Sequence, residues 1–228
     1  RYGELTPKGA EQHRRLVDRM YANYPQVFED GIHVDARSTY KTRAFLSMAA
    51  ACVELKGLNP KLNVTTETSE HDAWYIKYKN PLYEALHMEN VDSVYRAADS
   101  VYIHPERLMK QLFNDSVYVA ENIDAKKLMA DLFELHGISQ SSYSQPDLGF
   151  LFTEDELYDM WQRNNFEWYY EKGPSPLSDA CMYKLERNLL RNFIETADTV
   201  IASGKNAVSL RFGHDTNLAP LAALMGMN

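Results

Sequence analysis

The stretch Ala207-Val208-Ser209-Leu210-Arg211-Phe212-Gly213-His214-Asp215-Thr216-Asn217 decides how this chain is expected to fold. Its first six residues alternate in polarity, which is typical of a strand with one buried face. Residues 213–217 have the composition of a turn, and a helix is predicted from Leu218 to Met225. The sequence therefore predicts a strand that turns into a helix and places His214 and Asp215 at the carboxyl end of that strand.

A second strand-to-helix unit is predicted nearer the amino end. Ile32 to Ala36 alternate in polarity, and Ser38 or Thr39 is expected to cap a helix that runs to Gly57. Leu62 to Thr66 is rich in β-branched residues and predicts a further strand. Because strands that alternate with helices pair in parallel, the predicted fold class is α/β, with helices on the faces of a parallel sheet.

The middle of the chain follows a helical pattern instead. Residues 70–205 repeat apolar residues at helical spacing, with breaks at residues 137–149 and 173–176. A helix is expected from Leu177 to Ser203. The resulting assignment is an α/β core formed by residues 1–69 and 206–228, and an inserted, mostly helical domain formed by residues 70–205.

Composition argues against several classes of partner. The 228 residues carry 24 Lys and Arg against 32 Asp and Glu, a formal net charge of -8, so no nucleic-acid partner is expected. No apolar segment reaches the about 20 residues that cross a bilayer, so no membrane span is expected. Cys52 and Cys181 have no metal-ligand spacing, and we expect no metal and no cofactor. Both cysteines are expected to be buried apolar side chains, with a disulfide left open.

His214 and Asp215 are the first candidates for chemistry. A strand end that leads into a helix N-terminus favours anions, because the first helical N–H groups are unpaired. An imidazolium at His214 could hold a phosphate oxygen while Asp215 protonates a leaving alkoxide. The alternative is that both residues only form the turn and cap the helix.

Arg43 is the second candidate. It lies about one turn into the helix predicted after Ala36, where its guanidinium could clamp a phosphate with two hydrogen bonds. The alternative is a surface arginine without a role. Two strand ends suited to anions in one sheet favour the first interpretation.

Three segments carry a family resemblance. Gly3-Glu4-Leu5-Thr6-Pro7-Lys8-Gly9, in which Thr6 is expected to cap the first helix, resembles the G-x-L-T-x-x-G segment of histidine acid phosphatases. Arg37-Ser38-Thr39 with Arg43 and Ser47 is similar to their R-S-T-x-x-x-R-x-x-x-S segment. Gly213-His214-Asp215-Thr216-Asn217 matches their G-H-D-T-N segment. Residues 164–177 are also similar to part of the helical cap of bacterial phytases and multiple inositol polyphosphate phosphatases.

The resemblance implies a phosphoglycerate mutase-like sheet with a helical cap domain, and hydrolysis of phosphomonoesters through a phosphohistidine without a metal. The substrate would be a small phosphomonoester, and the compartment periplasmic or secreted. The nucleophile of these enzymes lies in an R-H-G-x-R-x-P motif, which these 228 residues do not contain. We therefore expect the nucleophilic histidine outside this chain, a chain truncated at both ends, and an inactive chain when it is alone.

The resemblance also implies roles for single residues. Asp215 would be the general acid, and Arg43 and His214 would bind the phosphoryl oxygens. Arg37 is expected to be structural and to pair with a carboxylate. Thr216 is expected to cap the helix, and the alternative is a contact between its hydroxyl and the substrate. Because multiple inositol polyphosphate phosphatases often have H-A-E at this position, the H-D-T pattern favours the phytase and acid phosphatase branch.

Two other functions stay open from the sequence. A member without a nucleophile would be a non-catalytic protein that binds phosphate ligands through Arg43 and His214. The tyrosine-rich segment from Trp161 to Tyr170 would suit a helical protein-interaction module, although aromatic residues at helical spacing are more often packed internally.

Overall fold

The computed structural model describes residues 3–71, 73–76, 91–144, 147–178 and 182–227. Contacts divide the chain into two compact units. The first comprises Arg1–Leu86 and Lys172–Asn228, and the second comprises His87–Glu171. Among the described residues, the three strands belong to the first unit, and the second unit is built from helices.

A parallel sheet with the strand order β2-β1-β3 lies at the centre of the first unit. Its strands are β1 (His33–Ser38), β2 (Asn63–Glu67) and β3 (Ala207–Phe212). Val34 of β1 lies beside Val208 of β3 in the register. The strands predicted from the sequence are confirmed to within two residues, and with them the α/β fold class.

Nine α-helices follow one another within the described residues. The first begins as predicted, because Thr6 Oγ1 accepts the Gly9 N–H at 3.0 Å and Pro7 occupies the first helical turn. The helices are α1 (Pro7–Asn23), α2 (Thr42–Leu58), α3 (Val91–Tyr102), α4 (Glu106–Leu112), α5 (Ser116–Asn122), α6 (Ala125–Ile138), α7 (Glu154–Lys172), α8 (Arg187–Ser203) and α9 (Asp215–Leu224).

One face of the sheet is apolar and forms the core of the first unit. Val34 and Ala36 alternate along β1 with more exposed residues, and both are fully buried. Leu55 of α2 is buried in the same core, where a side chain of its size contributes about 1.5–3 kcal/mol. The main cluster comprises Val17, Phe28, Val34, Ala51, Leu55, Leu62 and Val208.

The opposite face of the sheet is polar and joins β1, β3 and α8. The Arg211 side chain of β3 is only 5% exposed, and its Nη2 lies 3.1 Å from Asp35 Oδ2 of β1. Arg211 Nε donates to Asn192 Oδ1 of α8 at 3.2 Å. This ion pair between the buried Arg211 and the partly buried Asp35 therefore links the two strands that end at the candidate site.

The start of α2 differs from the prediction. Neither Ser38 nor Thr39 caps the helix, because β1 pairs with β3 as far as Ser38 and the backbone is still extended there. Lys41 occupies the N-cap instead and makes no side-chain cap hydrogen bond. Arg43 is consequently the second helical residue and does not lie one turn into the helix.

Two later helices also begin elsewhere than predicted. The helix expected from Leu177 begins at Arg187, and short 3₁₀ helices occupy residues 176–178 and 182–186. The last helix begins at Asp215, three residues before the expected Leu218, because His214 is its N-cap. Asp215 is therefore part of the first helical turn.

The second unit consists of α3 to α6 and most of α7. Ordinary side-chain caps begin two of its helices, since Asp115 accepts the N–H groups of residues 117 and 118, and Asp124 accepts that of residue 127. Its boundaries, His87 and Glu171, differ from the predicted insertion at residues 70–205, which stays a prediction. Its core cluster comprises Ile103, Leu108, Met109, Met129, Leu151, Phe152 and Met160.

Two further sequence expectations can be compared with the described residues. Cys52 is buried in α2 with a free thiol, as expected for a small apolar side chain, whereas Cys181 lies outside the described residues. None of the helices described is both long and apolar enough to cross a membrane.

Candidate functional site

The site lies where β1 and β3 end side by side. Ser38 and Phe212 are partners in the parallel register, so the residues that follow them leave the sheet at the same edge. The Thr39 N–H donates to the Phe212 carbonyl at 3.0 Å. Thr39 Oγ1 and His214 Nε2 share a hydrogen bond of 2.9 Å. The two segments singled out in the sequence therefore meet directly through a pair of side chains.

His214 is the buried centre of this arrangement, with 6% of its surface exposed. Burial is the main cause that lowers its pKa to about 4, and the positive charges of Arg43 and Lys41 lower it further. The neighbouring Asp215 acts in the opposite direction. The ring is therefore neutral above about pH 4 in the absence of an anion, whereas the sequence analysis expected an imidazolium.

Arg43 reaches the site from the start of α2. Its charge acts on the pKa of His214, as does that of Lys41, so both cations lie near the imidazole. Lys41, the N-cap of α2, makes no side-chain cap hydrogen bond, in contrast to Thr6 at the start of α1. Positive charge is thus concentrated at this edge of the sheet.

The hydroxyl groups after β1 fix the neighbouring loops instead of capping α2. Ser38 Oγ donates to Thr68 Oγ1 at 3.1 Å, and Thr68 Oγ1 donates to the Thr39 carbonyl at 3.1 Å. Ser38 and Thr39 are 0% and 3% exposed. These bonds hold Thr39 in place, and so they also determine where its hydroxyl meets His214.

Asp215 is the exposed member of the site. It is the first residue of α9, and its Oδ1 accepts the Thr216 N–H at 2.8 Å. The side chain is accessible from solvent at the start of α9.

Thr216 does not have the role that the sequence suggested. It is the second residue of α9, and the N-cap is His214, so Thr216 does not cap the helix. Its hydroxyl oxygen is buried and has no hydrogen-bond partner among the described residues.

Asn217 and Glu186 are site residues that the sequence analysis missed. Asn217 Oδ1 accepts the His214 N–H at 3.1 Å, and its Nδ2 donates to Glu186 Oε1 at 3.2 Å. A Cβ atom at Gly213 would lie 2.9 Å from Asn217 Oδ1, so the glycine leaves room for this side chain. The G-H-D-T-N segment contained Asn217, but no spacing or pattern pointed to Glu186.

Arg37 has the structural role that was expected of it. Its Nε donates to both carboxylate oxygens of Asp35, at 3.2 and 3.1 Å. Since Asp35 also pairs with Arg211, one carboxylate lies between two guanidinium groups. The prediction that Arg37 pairs with a carboxylate is confirmed.

A comparison with models of protein families identifies the family of this chain. The model of the histidine phosphatase superfamily, branch 2, matches residues 1–228. The chain belongs to this family. Within the described residues, no group of three or more His, Cys, Asp or Glu side chains is arranged to hold a metal ion.

Solved structures of histidine phosphatases have the same fold. Multiple inositol polyphosphate phosphatase from Bifidobacterium longum, in complex with inositol hexasulfate, superposes with a TM-score of 0.78 at 18% identity, over 99% of this chain and 63% of that one. The phytase from D. castellii gives 0.66 at 15% identity, over 98% of this chain and 49% of that one. The chain thus spans less than two thirds of their length. No curated protein matches it.

Proposed function

We propose that this histidine phosphatase chain supplies the phosphate-binding and proton-donating half of a phosphomonoesterase, phytase-like or of the general acid phosphatase type. The nucleophilic histidine would come from a segment outside these 228 residues. The observation that supports this most is the meeting of Thr39, Arg43, His214 and Asp215 at the shared edge of β1 and β3. A buried imidazole and nearby cations can bind a phosphate group, and an exposed carboxyl can protonate a leaving oxygen.

Arg43 and His214 would hold the phosphoryl oxygens. Arg43 is a permanent cation, and the neutral His214 ring can donate one N–H. A bound phosphate brings negative charge next to the imidazole, and this opposes the burial that lowers its pKa. His214 would therefore gain a proton as the anion binds, and the charge of the pair would be partly neutralised within the site.

Asp215 would transfer the proton in both steps. In the first step, the bond between phosphorus and the alkoxide oxygen breaks, a bond between phosphorus and the histidine nitrogen forms, and Asp215 protonates the leaving oxygen. In the second step, water attacks phosphorus, the phosphorus–nitrogen bond breaks, and the Asp215 carboxylate takes the proton of water. Its exposure at the start of α9 suits this exchange.

The substrate class would be small phosphomonoesters, with inositol phosphates as the first candidates, in a periplasmic or secreted compartment. Two observations support this choice. The solved structures with the same fold include a phytase and an inositol polyphosphate phosphatase that was crystallised with inositol hexasulfate. In addition, the site combines Arg43 with Lys41, so it offers more than one cation to a substrate with several phosphates.

The direct test is the affinity for inorganic phosphate, measured by calorimetry. Arg43→Ala should weaken binding roughly 10- to 100-fold, the loss expected for a charge-assisted pair. Arg15→Ala makes the same charge change on the exposed surface of α1, where Arg15 pairs with Glu11, and should leave the affinity unchanged. Unchanged binding in Arg43→Ala would overturn the assignment of the anion site.

The catalytic part of the proposal needs a separate measurement. The intact mass and N-terminal sequence of the native protein show whether an Arg-His-Gly segment accompanies these residues, whose own mass is 26.3 kDa. With that segment, the protein should hydrolyse p-nitrophenyl phosphate. A native protein that has no such segment, binds phosphate and does not hydrolyse it would be a non-catalytic phosphate-binding protein.

A further inference from the structure

A buried acid lies behind the loop that carries His214. Glu186 ends the 3₁₀ helix Met182–Glu186 and is 7% exposed. Its Oε1 accepts the Asn217 side-chain N–H at 3.2 Å, and Asn217 is itself 2% exposed. Asn217 Oδ1 in turn accepts the main-chain N–H of His214 at 3.1 Å. A continuous chain of hydrogen bonds therefore runs from Glu186 to the backbone of His214.

We propose that Glu186 is a positioning residue of the phosphate site, which acts through Asn217 on the backbone and ring orientation of His214. An asparagine amide can rotate by half a turn with little change in shape, and then its N–H₂ would face the His214 N–H. The acceptor at Glu186 selects the orientation in which the oxygen points to His214. This inference rests on the proposed function only where it concerns anion affinity.

The hydrogen bonds from Glu186 to His214 depend on pH, because Glu186 can gain or lose a proton. Burial is the main cause that raises the pKa of its carboxyl to about 7, against smaller opposing effects of the Asn217 hydrogen bond and the charge of Lys172. The carboxyl is thus neutral in acid and becomes a buried anion above neutral pH. An ionised carboxylate accepts the Asn217 N–H in a stronger, charge-assisted hydrogen bond, so the bond that orients Asn217 changes as Glu186 titrates.

Other charged groups near Glu186 belong to the elements that pack against it. Helices α8 and α9 contact residues 182–186. Lys172, at the end of α7, is the charged side chain whose field is felt at Glu186 within the described part of the chain. Helix α8 carries the ionisable side chains Arg187, Arg191, Glu195 and Asp198, and α9 carries Asp215. Besides Glu186, the 3₁₀ helix carries Tyr183 and Lys184.

Two variants separate the acceptor from the charge. Glu186→Gln keeps an oxygen that can accept from Asn217 but cannot ionise, and Glu186→Leu has a similar volume without an acceptor. Inorganic sulfate is the suitable anion, because it does not titrate between pH 5.5 and 8.5 as phosphate does. Calorimetry at both pH values and the ¹⁵N–¹H signal of the His214 amide in the free protein are the two readouts.

In the free protein, the His214 amide signal of the wild type should shift between pH 5.5 and 8.5, with a midpoint near pH 7, because ionisation of Glu186 changes its hydrogen bond to Asn217. Glu186→Gln should bind sulfate like the wild type at pH 5.5 and should show no such shift. Glu186→Leu should bind sulfate roughly fivefold more weakly at pH 5.5, as for the loss of one hydrogen bond, and should change the His214 amide signal at both pH values.

Two results would overturn the proposal. One is a Glu186→Gln variant whose His214 amide signal shifts with pH as in the wild type, and the other is a folded Glu186→Leu variant with an unchanged His214 amide signal. If Glu186→Leu does not fold, the pH dependence of Glu186→Gln alone decides. If no form binds sulfate but the amide signal responds to both substitutions, the proposed function fails while the positioning role stands.

Discussion

The two junctions at the carboxyl edge of the sheet hold their side chains by different chemistry. At the junction of β1 and α2, the Ser38 hydroxyl donates to Thr68, whose own hydroxyl donates to the Thr39 carbonyl, and the charge of Arg43 is permanent. At the junction of β3 and α9, His214 is held through Asn217 by the buried acid Glu186. Both histidine and acid have displaced pKa values.

The first junction offers a charge that attracts an anion, whereas the second junction sets the orientation of His214. A permanent cation attracts an anion equally at every physiological pH, whereas a buried acid and a buried imidazole change charge between acid and neutral conditions. The junctions are joined by the Thr39–His214 bond and, beneath the sheet edge, by the Asp35–Arg211 pair. Substitutions in these links and in each junction test whether the two junctions act independently of each other.

The largest effect is expected from the pair that holds β1 beside β3. Asp35→Ala leaves the buried Arg211 guanidinium without its carboxylate and should lower the free energy of unfolding by about 3–5 kcal/mol, as measured with urea. Asp30→Ala removes an equivalent charge from an exposed pair with Lys61 and should hardly change stability. Equal losses in the two variants would contradict the role of the pair.

The second prediction concerns stability against pH. Glu186 has a raised pKa when folded, so its contribution is present below about pH 4.5 and is lost as the pH rises to about 7. His214 has a lowered pKa, so its contribution is present above about pH 6.5 and is lost as the pH falls to about 4. Each pKa shift corresponds to about 3 kcal/mol of unfolding free energy. Between about pH 4.5 and 6.5, the two shifts change the stability in opposite directions.

Single variants should therefore reveal slopes of opposite sign. Relative to the wild type, Glu186→Gln should become more stable from pH 4.5 to 6.5, and His214→Asn should become less stable over the same range. Urea unfolding at several pH values, followed by tryptophan fluorescence, measures both differences. Each variant shares all its other ionisable groups with the wild type. If both differences in unfolding free energy changed in the same direction with pH, one of the two pKa shifts would be absent.

A smaller effect is expected where the junctions touch. Thr39→Val removes the hydroxyl that meets His214 Nε2 and should cost about 1 kcal/mol of stability. Thr39→Ser keeps the hydroxyl and should restore the ¹⁵N chemical shifts of the His214 ring, which report its tautomer. A Thr39→Val variant with unchanged ring shifts would mean that the two junctions are independent.

The smallest effect is expected at Lys41, the weakest of the causes that act on His214. Lys41→Gln should raise the pKa of the imidazole by about half a pH unit or less, in an NMR titration. Arg43→Gln should raise it more, since Arg43 is the stronger cause. Lys205→Gln, near the opposite edge of the sheet where β3 begins, should leave the titration unchanged.

The strands were predictable from the sequence because their signal is local. Alternating polarity located β1 and β3, and a run of β-branched residues located β2, all to within two residues. The motif segments indicated Arg43, His214 and Asp215 as candidates. The helix starts next to the site were less predictable. The extended backbone at Ser38 depends on pairing with Phe212, which lies 174 residues away in the chain, so cap preferences alone placed α2 too early.

The sequence by itself determined the fold class, the family and the residues that come from local motifs. The tertiary structure alone decided how His214 is held, because Glu186 precedes Asn217 by 31 positions and acts only through a buried hydrogen bond. No periodicity or spacing records such a contact. Its strength, and the pKa of about 7, arise from burial, a property that belongs to the packed molecule.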